Sequence, residues 1–288
     1  MDPAEYQNAK SGRLALDLHG YSLWEFTGTD RVRYLNGQVT QDVATLPVGT
    51  ARRAAVTNHK GKMEGEVHVA KLPDRLWVIA PPGQTDTLAP RLAKYIIADD
   101  VEMTEVSDQW HGWFQVGPPR IDLPDTAQVF MSRRCGLDGH DIWIPAADPF
   151  RAPSASAEVW DALRIRHRCA AWGIDMGHDT LPPEARLEED AISYTKGCYI
   201  GQEVIARLKS VGRVNRLIVL LEADSPTLPT TQPLALFHQG SPAGSITSAC
   251  LDPERKKVIA LATVPRQHAK SGTRLEDVSK GFWTVVEP

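Results

Sequence analysis

The chain has 288 residues, 42% hydrophobic and 24% charged, with a formal net charge of −4. This is the composition of an ordinary globular protein with room for two or three domains and a sizeable core. No apolar run reaches the length of a membrane span, the acidic start Met1-Asp2-Pro3-Ala4-Glu5 is unlike a signal peptide, and the negative net charge argues against direct nucleic-acid binding, so a cytoplasmic protein without a membrane partner is expected.

Leu14 to Leu18 and Ser22 to Thr27 read as short strands, and Asp30 as the N-cap of a helix that begins Arg31-Val32-Arg33-Tyr34-Leu35. Ala51 to Thr57 and Glu64 to Leu72 read as strands joined across the polar turn Asn58 to Lys62, and Arg75 to Ala80 as a further strand closed by Pro81-Pro82-Gly83. Leu88 to Ile96 has helical spacing with Pro90 in its first turn, and Val101 to Val106 and Trp110 to Val116 are extended. Gly117-Pro118-Pro119 and Pro145 to Ser156 are proline-rich connections, the second leading into a helix near Ala157 to Cys169. No glycine-rich dinucleotide fingerprint or P-loop is present, which favours α+β over a doubly wound parallel sheet. From Gly212 onward the pattern changes to short strands, at Asn215 to Glu222, Leu234 to Phe237, Gly244 to Ala249, Lys257 to Val264 and Phe282 to Val286, as expected of a small β-barrel.

Four widely spaced cysteines without a C-x-x-C pair fit neither a disulfide scaffold nor a self-contained zinc or iron–sulfur site, so no resident metal is expected. Cys135, Cys169 and Cys250 read as packing residues. Cys198 differs. Lys196-Gly197-Cys198-Tyr199-Ile200-Gly201-Gln202-Glu203 sets a thiol between two glycines, after an ammonium and before the run Glu203 to Leu208, which can open a short helix. A helix start and Lys196 would both favour the thiolate. The window 191–216 also carries Lys196, Arg207, Lys209, Arg213 and Arg216 against the single acid Glu203, a local charge suited to an anionic ligand.

This Lys-Gly-Cys-Tyr-x-Gly-Gln-Glu run resembles the signature of the YgfZ family, folate-binding proteins related to the aminomethyltransferase, or T-protein, of the glycine cleavage system. The similarity extends to Gly28-Thr29-Asp30-Arg31, to Tyr34-Leu35-Asn36-Gly37-Gln38-Val39-Thr40-Gln41-Asp42 and to Asn58-His59-Lys60-Gly61-Lys62-Met63. It continues through Leu163-Arg164-Ile165, Trp172-Gly173-Ile174-Asp175 and Leu181-Pro182-Pro183-Glu184. The resemblance implies an α+β cloverleaf: two α/β lobes, the first discontinuous, and a C-terminal β-barrel around a central folate cavity. Residues 1–206 would form the folate-binding region, with the inserted lobe at about 51–117, and residues 207–288 the barrel domain. The implied role is folate-assisted assembly or maintenance of iron–sulfur enzymes, including those that modify tRNA. Tetrahydrofolate or a derivative would be the cofactor, and iron–sulfur client enzymes the partners.

Within that role Cys198 is the working thiol, Lys196 its electrostatic partner, and Gln202 and Glu203 fix the loop. Nucleophile, redox thiol and transient iron ligand all remain open for Cys198. A pterin needs a flat slot and a folate tail needs cations. Trp172, Tyr194 and Tyr199 are candidate faces, Arg207 and Arg213 candidate charges, and Asp42, Asp175 and Glu184 candidate acceptors for the pterin edge. The aromatics have an alternative as half-buried packing residues, and Asp42 as a cap or a brace for its own loop.

Two departures from the T-protein pattern bear on activity. Arg166 stands where the T-protein has a pterin-binding Glu, and Val78-Ile79-Ala80-Pro81-Pro82 replaces the Val-Asn-Ala approach to its catalytic aspartate, with Asp86 near the expected place. Both lean away from aminomethyl transfer, and the T-protein has no thiol at the cysteine motif. A tetrahydrofolate-dependent aminomethyltransferase is the first alternative, and an RNA- or protein-docking module using the barrel the second.

Overall fold

Leu76-Trp77-Val78-Ile79-Ala80 is apolar at every position, the pattern of a strand covered on both faces. The computed structural model of the protein, which describes residues 1–120, 122–210 and 212–287, shows both covers. The first elements are helix α1 (Pro3–Lys10), strands β1 (Leu16–Asp17) and β2 (Ser22–Thr27), helix α2 (Arg31–Gln38), strands β3 (Ala51–Thr57), β4 (Met63–Lys71) and β5 (Leu76–Ala80), and helix α3 (Thr85–Ala93). Strands β6 (Glu102–Glu105), β7 (Trp110–Val116), β8 (Gln128–Arg134) and β9 (Leu137–Pro145) follow, then helices α4 (Ala157–Arg166) and α5 (Gln202–Ser210). Strands β10 (Arg216–Ala223), β11 (Leu234–His238), β12 (Ser241–Asp252), β13 (Lys257–Pro265), β14 (Arg274–Asp277) and β15 (Phe282–Val286) complete the chain.

β5 sits inside a five-stranded antiparallel sheet of order β3-β4-β5-β2-β6. On one face Leu76, Val78 and Ala80 pack with Tyr34 and Leu35 of α2 and Leu88 and Leu92 of α3. On the other, Trp77 and Ile79 meet Phe130 and Trp143 of a second sheet, β1-β7-β9-β8. Alternation with period two thus places one strand in two cores. β10 repeats the device: Ile218 and Leu220 join the core around α1 and α4, while Val219, Leu221 and Ala223 fill a closed six-stranded barrel of order β10-β13-β12-β11-β14-β15. The expected α+β architecture with a C-terminal barrel is present.

Several local expectations need correction. α3 begins at Thr85, so Pro90 lies inside the helix rather than in its first turn; the buried Gln84 anchors the helix start by accepting from Glu66 N and donating to Glu66 O. Asp30 is the N-cap residue but makes no side-chain cap bond, and its carboxylate instead accepts from Asp100 N. The hairpin β8–β9 has no counterpart among the expected strands. Its turn, Cys135-Gly136, has positive φ at both residues without the usual Asn or Asp. β14 is four residues long, too short to show a pattern, yet it closes the barrel. Strand pairing crosses residues 51 and 117: β2 pairs with β5 and β6, whereas β7 pairs with β1 and β9. Among the described residues no helix is long and apolar enough to cross a membrane.

Candidate functional site

Two separate stretches of the sequence are drawn together around the cysteine loop. Lys196 is buried, and its ammonium donates to the carbonyls of Asn36 (2.6 Å), Val39 (2.8 Å) and Gln41 (2.6 Å), in the last turn of α2 and just beyond it. Ile200 N donates to Gly37 O, and Thr57 Oγ1 donates to Ile200 O. Gly201, at φ +87°, lies so close to the Asn58–Gly61 turn that a Cβ would come within 2.5 Å of Asn58 O. The loop is therefore held by both stretches while Cys198 itself is exposed. Burial pushes the Lys196 ammonium down to about 8, with Asp42 opposing. All three of its protons are committed to carbonyls, so Lys196 acts as a clamp on the loop that carries the thiol.

The other expected site residues divide by position. Trp172 lines a cavity of about 130 Å³ with Tyr21, Arg53, Glu66, His68 and Cys169. Cys198 lines neither this cavity nor the others described. Asp175 is fully committed inside the protein, accepting from Arg164, Ala171 N, Thr247 and Ser248, and so joins α4 to β12. Glu184 likewise accepts from Leu181 N and from Arg216 at the start of the barrel. Asp42 braces its own loop: burial would raise its pKa, but hydrogen bonds from Thr45 and Ala44 outweigh that and lower it. Tyr199 is buried, its hydroxyl has no partner among the described residues, and its ring lies 5.1 Å from Lys196 Nζ. Gln202 opens α5, and the exposed Glu203 pairs with Arg207 at 2.9 Å. Tyr194 and Arg213 line a different hollow from Trp172.

The cavity beside Trp172 is built from residues that stand out only in three dimensions. Arg53 on β3 lies opposite His68 on β4. Its Nε donates to Glu66 Oε1 at 2.7 Å, Nη1 to Cys169 Sγ at 3.5 Å and Nη2 to Ala170 O at 2.9 Å, with Asp190 4.0 Å away. Burial opposes its charge, but Glu66 and its other neighbours outweigh burial and hold the guanidinium charged. Arg134, paired through two bonds with Asp141, lies over the Tyr21 ring. Cys135 and Cys169 line this cavity, and Cys135 packs against the main hydrophobic core as expected. The available signal was charge within strands that carry buried apolar residues: Arg52 and Arg53 between Ala51 and Ala54, and Glu66 and His68 two apart on one face of β4.

His68 carries the most specific information. Its Nε2 lies 3.2 Å from Arg133 O, which can only accept, so Nε2 bears the proton and Nδ1 is a bare acceptor. Nδ1 is buried and has no partner among the described residues. Burial, reinforced by Arg134 and Arg53, drives the His68 pKa well below its ordinary value, so the ring is neutral. The folded pKa lies below the unfolded one, so the associated stability is complete above about pH 6.5 and is lost as pH falls. Between pH 7 and pH 5 the wild-type chain is expected to lose roughly 2 kcal/mol more unfolding free energy than His68→Gln. Urea unfolding at the two pH values measures this, and equal losses would exclude His68 as the source.

Folate fits this lining chemically. Tyr21 and Trp172 offer flat faces, and the unpaired His68 Nδ1, the Glu66 carboxylate and Asp190 offer acceptors to the donor edge of a pterin. A volume of 130 Å³ falls below the roughly 300–1,000 Å³ usual for ligand sites, so a whole folate also needs the flanking hollows of about 540 and 350 Å³, which share Arg53, Arg133 and Asp190 with it. Arg166 does not stand in the way: its Nε faces Asp252 of the barrel at 3.4 Å, and it lines none of the cavities described.

Comparison with known proteins accords with this fold. The GCVT N-terminal domain model matches residues 3–123, and the glycine cleavage T-protein C-terminal barrel domain model matches residues 216–281. A protein of Photobacterium profundum described as tRNA-modifying protein YgfZ is 23% identical over an alignment covering 96% of this chain and 92% of that one. This chain is a YgfZ-type, GcvT-related protein. The mitochondrial aminomethyltransferase of Gallus gallus is 28% identical, with 86% of this chain and 73% of that one covered. A mitochondrial iron–sulfur cluster assembly factor IBA57 homologue of Mycosarcoma maydis is 27% identical, with 76% and 59% covered. In fold, the chain is similar to the crystal structure of the glycine cleavage system aminomethyltransferase T from Bartonella henselae, with a TM-score of 0.83 at 19% identity over 99% of this chain and 88% of that one.

Proposed function

We propose that the protein is a folate-binding accessory factor that assists the assembly or maintenance of iron–sulfur enzymes, including tRNA-modifying ones, with Cys198 as its working thiol. The observation that carries this reading is the clamped loop that leaves Cys198 exposed. The segment leading to it starts at Asp190 on the cavity wall and is tied on the way by Gln41 Nε2 to Asp190 O, Thr40 Oγ1 to Ala191 O and Ser193 N to Thr40 O. The relatives described as tRNA-modifying and as an iron–sulfur assembly factor supply the client class.

A reduced folate, when bound, supplies a nitrogen-held one-carbon unit. In this reading Tyr21 and Trp172 flank its pterin, His68 Nδ1 and Glu66 accept from it, and Arg133, at the shared edge of the flanking hollows, meets its carboxylates. Arg53 holds the Glu66 carboxylate in place.

The aminomethyltransferase reading draws on the family match and the fold. Against it, Asp86 is exposed in the first turn of α3 and lines none of the cavities described. Calorimetric titration with tetrahydrofolate is expected to show saturable binding that weakens at least about tenfold in Trp172→Ala. The same preparation is expected to transfer no aminomethyl group from a lipoyl carrier. Robust transfer would promote the transferase, and absence of binding would refute the folate site.

A further inference from the structure

A hollow of about 570 Å³ lies between the end of α5, the turn Pro182–Ala185 and the start of the barrel, and shares only Arg186 with the hollows around Arg53. Arg186, Lys209, Arg213 and Arg266 line it against one acid, Glu188. Among the described residues Lys209, Arg213 and Arg266 make no ion pair, whereas the neighbouring Arg186, Arg207 and Arg216 each have one. Cations gathered without anions around a concavity repel one another and raise the potential inside it. In a chain of net charge −4 that concentration is not a by-product of composition. Lys209 sits in the last turn of α5, where the helix dipole favours a cation, but Arg213 lies beyond the helix and Arg266 in a turn of the barrel. The dipole therefore does not account for them.

The rest of the wall is apolar. Leu208, Val214 and Leu217 contribute to it, together with the half-buried Tyr194 ring, on which Lys209 Nζ rests 3.6 Å from the centroid. A simple anion would leave this surface unused. A ligand that joins a flat ring to a phosphate would use both halves, with the ring stacking on Tyr194 and freeing the Lys209 ammonium for the phosphate.

We propose that this hollow binds a 5′-phosphorylated nucleoside, either free or as the terminal nucleotide of an RNA strand. The site is independent of the folate reading. It also departs from the expectation of no nucleic-acid partner, which rests on net charge and not on where the charge lies.

The test is calorimetric titration of the full chain at low salt with AMP, adenosine, inorganic phosphate, a 5′-phosphorylated tetraribonucleotide and tri-γ-glutamate. AMP is expected to bind saturably, and adenosine and phosphate at least about tenfold more weakly. Arg213→Glu combined with Arg266→Glu, both at exposed positions, is expected to weaken AMP at least about tenfold with the melting temperature unchanged. Tyr194→Leu is expected to weaken AMP but not phosphate. A tetranucleotide that binds more tightly than AMP assigns the site to RNA ends, and one that binds equally or less tightly assigns it to free nucleotides. No saturable AMP binding, AMP binding indifferent to the double reversal, or tri-γ-glutamate binding as tightly as AMP would each overturn the proposal.

Discussion

Arg53→Leu is expected to lower the unfolding free energy by about 3–5 kcal/mol, among the largest effects of any single substitution in the chain. Arg53 and Glu66 are both buried, at 8% and 6% exposure, and among the described residues no other cation bonds to the Glu66 carboxylate. Removing the guanidinium leaves that carboxylate uncompensated in a poorly solvated site, and also strips Ala170 O of its donor. The double change Arg53→Leu with Glu66→Leu removes both charges and should recover much of the loss, because a paired charge is costly chiefly when halved. Urea unfolding of the four chains gives the coupling directly. If Arg53→Leu is no more destabilising than the double variant, the pair is not what organises the cavity wall. Folate affinity in the double variant should still fall, since an acceptor has gone with the pair.

The fold was legible wherever a local pattern has one physical outcome. Ser22–Thr27 and Ala51–Thr57 formed as strands with the expected bounds, and the turn-punctuated C-terminal run formed a barrel. What escaped notice depends on partners distant in sequence. The β8–β9 hairpin carries no Asn-Gly signal, and its turn is fixed instead by packing: a Cβ on Gly136 would come within 2.4 Å of His167 Cβ, just past α4. Proline favours the first turn of a helix, but the anchor that starts α3 is Gln84, whose partner Glu66 is 18 residues away, and this leaves Pro90 inside the helix.

The site was legible in part for the same reason. The cysteine motif announced itself by composition, yet Lys196 turned out to serve the backbone of residues 36–41, a relation no local reading contains. Asp175 and Glu184 were sensible acceptors by type, but both bond within the protein and line a different hollow from Trp172. Arg53, Glu66 and His68 lie in stretches that read simply as strands, and only the pairing of β3 with β4 shows three polar groups sharing one buried place.

Cys198→Ala is expected to abolish function while leaving the fold intact. The thiol is exposed, so its loss should change stability by no more than about 0.5 kcal/mol. The loop's hold comes from Lys196, Ile200 and Gly201, none of which depends on the sulfur. Loss of activity in this variant can therefore be separated from loss of structure. The deciding measurement is the activity of an iron–sulfur tRNA-modifying enzyme in cells that lack this protein, with wild-type chain or Cys198→Ala returned at equal abundance and equal melting temperature. Wild-type chain is expected to restore the activity and Cys198→Ala to leave it at the level of the deficient cells; full restoration by Cys198→Ala would contradict a working thiol at this position.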